Sequence, residues 1–270
     1  MSIVFVHGWT LGAELFDRVI DGLLEKADGS VNIVSYDVRG HGRSDAGDPG
    51  RANLEQLADD LRSVIDACAP HGELIIVGHS MGGMTLLAFA ERHRELLEAR
   101  VTGAVFVCTS PGKMWLPFKR MPGFGAIAPR VLGMGSPSMI RDTRLTRFAV
   151  KHSVFGGAAR VEDLSETIRQ MQSVDKRAFA EYGLSMMQHE RDELLPRFDW
   201  IRTVVFAGTR DHLTPLRHGR RIAMGIDGAM LVVESGAGHM VPLERPDSLI
   251  RELSAMVEES AASDSAARRA

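Results

Sequence analysis

Residues 74–91 read Leu-Ile-Ile-Val-Gly-His-Ser-Met-Gly-Gly-Met-Thr-Leu-Leu-Ala-Phe-Ala-Glu. The apolar, β-branched run Leu74 to Val77 predicts a buried strand, and Met84 to Glu91 predicts a helix. Between them stands Gly78-His79-Ser80-Met81-Gly82, a G-x-S-x-G pattern in a strand–turn–helix setting. Such a turn is strained, and side chains two residues either side of the serine would collide, so glycine stands at both places. The following helix aims its first N–H groups at the serine oxygen. The plainer reading is a glycine-rich turn with an incidental serine. The strand and helix on its two sides weigh against that reading.

Outward from this turn the chain alternates strands and helices. Further strand candidates are Ile3 to Val6, Val31 to Tyr36, Val101 to Val107, Thr203 to Ala207 and Met230 to Val233. Each is almost continuously apolar, as in a parallel sheet covered on both faces. Phe16, Val19, Ile20, Leu23 and Leu24 share one helical face, as do Leu54, Leu57, Leu61, Val64 and Ile65 behind an N-cap at Asn53. A last helix starts with Pro246 at its first position. The rhythm breaks from Ser110 to Pro196, where a Met, Pro and Gly-rich start is followed by two or three helices, near Val161 to Gln172 and Lys176 to Glu190. The expected organisation is a core of residues 1–109 and 197–259, a helical cap of 110–196 and a flexible tail of 260–270.

A serine hydroxyl needs a base to remove its proton. Position selects among ten histidines: His239, in Gly236-Ala237-Gly238-His239-Met240, follows the last strand. Loops after parallel strands converge at one edge of the sheet. The orienting carboxylate is expected after another strand, and Asp211 follows Thr203 to Ala207. The competing position, after Val101 to Val107, offers no Asp or Glu before Lys113. The chain order Ser80, Asp211, His239 then suits a Ser-His-Asp hydrolase. After the first strand, His7-Gly8-Trp9 can lend the Trp9 N–H to that of Met81 as an oxyanion hole. The Trp9 indole, Met114, Trp115 and Phe118 are the expected substrate-lining side chains; the bland alternative makes them packing residues.

The chain resembles the α/β-hydrolase superfamily in the His7-Gly8 turn, Asp37-Val38-Arg39-Gly40-His41-Gly42-Arg43-Ser44, the Gly78 to Gly83 turn, Gly208 to Asp211, and Gly238-His239. The resemblance covers nearly the whole sequence. It implies an α/β-hydrolase fold, a mostly parallel sheet flanked by helices with an inserted helical cap. It also implies a chiefly structural role for the Asp37 to Ser44 loop. Members usually carry two strands before the His-Gly turn; here they are absent, so a shorter sheet with a less protected first strand is expected. Serine at position 80 argues against the aspartate-nucleophile epoxide hydrolases and haloalkane dehalogenases. A carboxylic-ester hydrolase is the simplest reading. Alternatives with the same residues are a C–C bond hydrolase or thioesterase, or a slow-turnover ligand receptor.

Composition sets the remaining bounds. Of 270 residues, 44% are hydrophobic and 25% charged, which is globular, and 32 basic against 35 acidic side chains leave a net charge of -3. That balance gives no electrostatic reason for a nucleic-acid partner. Two cysteines, Cys68 and Cys108, make no disulfide framework, and no apolar run is long enough for a membrane span. The expected setting is cytoplasmic, with a small-molecule ester as partner and no metal or other cofactor.

Overall fold

The computed structural model describes residues 1–26, 31–114, 137, 140–157 and 159–267, the last five as backbone only. Six strands form one parallel sheet in the order β2-β1-β3-β4-β5-β6: β1 Ser2–Val6, β2 Asn32–Tyr36, β3 Leu74–His79, β4 Val101–Val107, β5 Arg202–Gly208 and β6 Met230–Glu234. All six expected strands are found, Val101 to Val107 with the expected bounds and the other five displaced by a residue or two at one or both ends. The period-2 alternation of strand side chains divides the core into two layers. Val4, Val6, Ile76, Ala104, Phe106 and Val205 belong to one, with α2 (Leu54–Cys68) and α3 (Met81–Arg92). Ile3, Phe5, Ile75, Val77, Val105, Val107 and Phe206 belong to the other, with α1 (Asp17–Lys26) and α10 (Pro246–Ala267).

Among the described residues the remaining α-helices are α4 (Arg94–Arg100), α5 (Arg144–Val154), α6 (Val161–Ser173), α7 (Lys176–Gln188), α8 (Leu216–Gly225) and α9 (Val241–Glu244). Helices α5 to α7 lie in the chain between β4 and β5, inside the stretch expected to be helical. Where that stretch leaves and rejoins the core, its ends meet. Gly112 and Glu190 form an antiparallel bridge, and the Arg191 N–H donates to the Pro111 carbonyl at 2.7 Å. Arg18 of α1 pairs with the buried Asp163 of α6.

Two expectations need correction. The first strand is not the less protected one: β1 is fully buried between β2 and β3, and β2 takes the edge with only partial burial. Leu24 does not join the buried face of α1 but is 53% exposed, and the buried side chains of that helix are Val19 and Leu23. Helix α10 continues past residue 260 to Ala267. Alanines extend a helix cheaply once it is nucleated, and the Ser260 hydroxyl donates to Glu73.

Candidate functional site

The chain runs from β1 to one side, β2, and then to the other, β3, so the strand order reverses between β1 and β3. At such a switch point the loops after the two strands diverge and open a crevice at the sheet's carboxyl edge. The His7-Gly8-Trp9 turn and Ser80 occupy those two loops.

Ser80 sits at φ 52° and ψ -115°, a strained conformation for a residue with a side chain. Its surroundings hold it there. The Ser80 N–H donates to the Val107 carbonyl at 2.9 Å, and the Ser80 carbonyl accepts from the Thr109 hydroxyl at 2.6 Å and the Gly83 N–H at 3.0 Å. A Cβ on Gly78 would stand 2.6 Å from the Gly82 backbone, and one on Gly82 would stand 2.0 Å from the Val6 carbonyl oxygen. Glycine at 78 is therefore a steric demand of the turn itself, and glycine at 82 a demand of packing the turn on the end of β1. Gly83 is equally constrained, by Thr109 at 2.5 Å.

Asp211 follows β5 and His239 follows β6, and the structure brings the two together. The His239 Nδ1–H donates to Asp211 Oδ2 at 2.9 Å, with both side chains almost wholly buried. The carboxylate also accepts from the Leu213 and Thr214 N–H groups at 2.8 and 2.9 Å and from the Thr214 hydroxyl at 2.7 Å. Burial pushes the Asp211 carboxyl up. The His239 imidazole and the Thr214 donors more than offset it, holding Asp211 well below the usual carboxylate range. With Nδ1 committed to Asp211, the lone pair of His239 lies on Nε2. Among the described residues no hydrogen bond joins the half-buried Ser80 hydroxyl to His239, and such contacts often tighten only with substrate.

The backbone of His239 is tied on both sides. Its N–H donates to the Val154 carbonyl of α5 at 2.7 Å, and its carbonyl accepts from His79 Nε2 at 2.8 Å, the two rings lying 4.8 Å apart. Burial pushes the His79 imidazole down to about 3, so it stays neutral and keeps the proton it donates. A Cβ on Gly238 would meet the Gly156 nitrogen at 2.4 Å, so glycine allows α5 to pack directly on this loop.

Met81 opens α3, so its N–H has no acceptor within that helix. In the loop after β1 the amides of Thr10, Leu11, Gly12 and Ala13 all have acceptors within the chain, and none of these bonds uses the Trp9 N–H. The Trp9 indole stacks on Phe179 of α7, with centroids 4.5 Å apart. Met114 is half-buried against the same core layer as Trp9. Trp115 and Phe118 lie outside the described residues. In the Asp37 to Ser44 loop, Asp37 accepts from the Ala13 and Arg43 N–H groups, both at 2.9 Å.

One grouping among the described residues offers metal-ligand chemistry: Cys108, Asp211 and His239, with ligand atoms within 4.8 Å of one another. Burial pushes the Cys108 thiol up, away from the thiolate a metal would take, and Asp211 and His239 already bond each other. Cys68 is exposed and Cys108 buried, both free. A cleft of about 550 Å³ lies apart from these residues, lined by Glu55, Glu91, Glu181 and Arg191. Arg191 is engaged there with Glu55 and Glu91. No helix among the described residues is long and apolar enough to cross a membrane.

Sequence reasoning passed over Thr214, Thr109, Phe179 and the bond from His79 to His239. Thr214 alone had a local signal: in Asp211-His212-Leu213-Thr214 an aspartate that turns back on amides two and three residues later is a familiar turn. The others act across the fold.

Three relatives resemble the chain over most of their length. A 3-oxoadipate enol-lactonase 1 from Acinetobacter baylyi is 25% identical, covering 83% of this chain and 78% of its own. A non-heme chloroperoxidase CPO-A1 from Kitasatospora aureofaciens is 28% identical, at 89% and 86%. A pimeloyl-[acyl-carrier protein] methyl ester esterase from Chromobacterium violaceum is 27% identical, at 95% and 94%. The family model of the alpha/beta hydrolase fold matches residues 2–246, and the chain belongs to that family of hydrolases.

Proposed function

We propose that the protein cleaves a carboxylic ester of a small molecule through an acyl-enzyme, with Ser80 as nucleophile, His239 as base and Asp211 as its orienting partner. The observation that carries this reading is the buried Asp211–His239 hydrogen bond at 2.9 Å beside the strained Ser80 turn. Ser80 Oγ attacks the ester carbonyl while His239 Nε2 takes its proton. The N–H groups of Trp9 and Met81 receive the charge that gathers on the carbonyl oxygen. His239 returns the proton to the leaving alkoxide, and a water activated by the same imidazole releases the acid. Asp211 keeps the proton on Nδ1 and stabilises the imidazolium. Two of the three relatives carry an ester-bond activity in their names, a lactonase and a methyl ester esterase, which favours an ester over a thioester or C–C bond. Residues 110–196 serve as a cap over the site, with Trp9 and Met114 facing the acyl or leaving group.

The test is hydrolysis of p-nitrophenyl acetate. Ser80→Ala should lose about 10³-fold or more in kcat with the fold intact, and Asp211→Asn should fall by a comparable order. Near-wild-type turnover by a folded Ser80→Ala protein would refute the reading.

A further inference from the structure

We propose that Gln170, on helix α6 of the inserted stretch, is a positioning residue that holds the loop carrying the Trp9 N–H in its working shape. This rests on the reading of that N–H as an oxyanion donor.

The loop after β1 does not hold itself. Thr10 sits at φ 64°, a left-handed conformation that is strained for a β-branched residue. Of the four amides after Trp9, only that of Leu11 bonds within the loop, to the Gly8 carbonyl at 3.3 Å. The other three depend on side chains from elsewhere. Thr10 donates to His41 Nε2 at 3.1 Å, Ala13 to Asp37 Oδ1 at 2.9 Å, and Gly12 to Gln170 Oε1 at 3.1 Å. His41 and Asp37 belong to the core loop after β2. Gln170 reaches the loop from 158 positions away in sequence, and is itself buried.

Gln170 is aimed rather than merely lodged there. Its Nε2 donates to Glu166 Oε1 at 2.8 Å, one helical turn back, which turns Oε1 toward the Gly12 N–H. Glu166 is held in turn by Arg169. Helix α7 adds a second grip through the Phe179 ring on Trp9. The consequence is that the charge-stabilising amide is set by the docking of the insert. Substrate recognition by the insert and stabilisation of the transition state then share one contact.

The experiment compares wild type, Gln170→Met, which keeps the volume but removes the acceptor, and the exchange Glu166→Gln with Gln170→Glu. The exchange restores both the pair within α6 and an acceptor for Gly12. The readouts are kcat and KM for p-nitrophenyl acetate, thermal midpoint, and Ki for trifluoroacetophenone. Ser80 Oγ adds to that ketone's carbonyl carbon and its proton passes to His239, leaving the negative charge on the former carbonyl oxygen. Gln170→Met should lower kcat about tenfold with KM within about twofold, and raise Ki by a similar factor. The exchange should recover most of both. Should Gln170→Met fail to fold, Gln170→Asn, one methylene short of Gly12, provides the same comparison. A lower thermal midpoint with kcat and Ki unchanged, or an exchange that rescues neither, would overturn the proposal. Failure of the underlying reading shows separately, as activity surviving Ser80→Ala.

Discussion

Around Asp211 each acceptor position is filled by a named donor, and the filling has a measurable worth. Two backbone amides, one hydroxyl and one imidazole converge on a single buried carboxylate. Removing one donor leaves a buried charge less well met, which costs about 1–3 kcal/mol. Thr214→Val removes the hydroxyl while keeping the shape. It should lower kcat/KM for p-nitrophenyl acetate about tenfold, because the carboxylate orients the imidazole less firmly. An unchanged kcat/KM would mean that the Leu213 and Thr214 amides suffice. Ser80, by contrast, is held by contacts that its own side chain does not make. Its replacement should therefore cost activity and leave stability nearly alone.

Helix α2 shows how far local rules carry an element. Asn53 accepts the Gln56 N–H at 2.8 Å with an extended backbone, the capping arrangement expected from its place before Leu54. Leu54, Leu57, Leu61 and Ile65 then fall on the buried face, while Val64 of the expected stripe is only partly covered. Asn53→Ala should destabilise the protein by about 1 kcal/mol, read as a lower urea midpoint with unchanged slope. No change would show that the Ser185 hydroxyl, which accepts the Leu54 N–H at 3.1 Å, carries the helix start alone. Helix α10 extends past its own apolar stripe. Its last turns lack an apolar stripe, yet they continue a helix already paid for by Leu249, Leu253 and Met256 against the sheet.

At the scale of the whole molecule, several histidines lie in the interior without charge. Burial pushes His41 and His79 down to about 3 and His189 to about 4, and lowers His7 as well. Each folded value lies below the ordinary 6.5, so the unfolded chain binds more protons between the two. Stability is therefore complete above about pH 6.5 and is lost as pH falls toward 4. The depressed Asp211 acts in the same direction, at lower pH, through and below the ordinary carboxylate range. Thermal midpoints should fall steadily from pH 6.5 to 4. His189→Gln, placed at the neck of the insert, should flatten the matching fall in unfolding free energy by up to about 1.4 kcal/mol per pH unit. An identical slope in the variant would assign the acid sensitivity elsewhere.

What the sequence determined by itself is what depends on neighbours along the chain. Six apolar runs set the strands, because a doubly covered strand must be apolar throughout. Gly78 sets the serine turn through sterics within a few residues, and the Gly238-His239 and Asp211 segments could be ordered by the strands they follow, whereas the demand for glycine at 82 comes from Val6 at the end of β1. The tertiary structure alone decided which atoms meet. Strand order, which buries β1 and leaves β2 at the edge, follows from pairing across the sheet. The bonds from Gln170 to Gly12, from His79 to His239 and from Val154 to the His239 amide join segments far apart in sequence. A buried amide or carbonyl requires some partner, but its own sequence neighbourhood does not say which distant side chain will reach it.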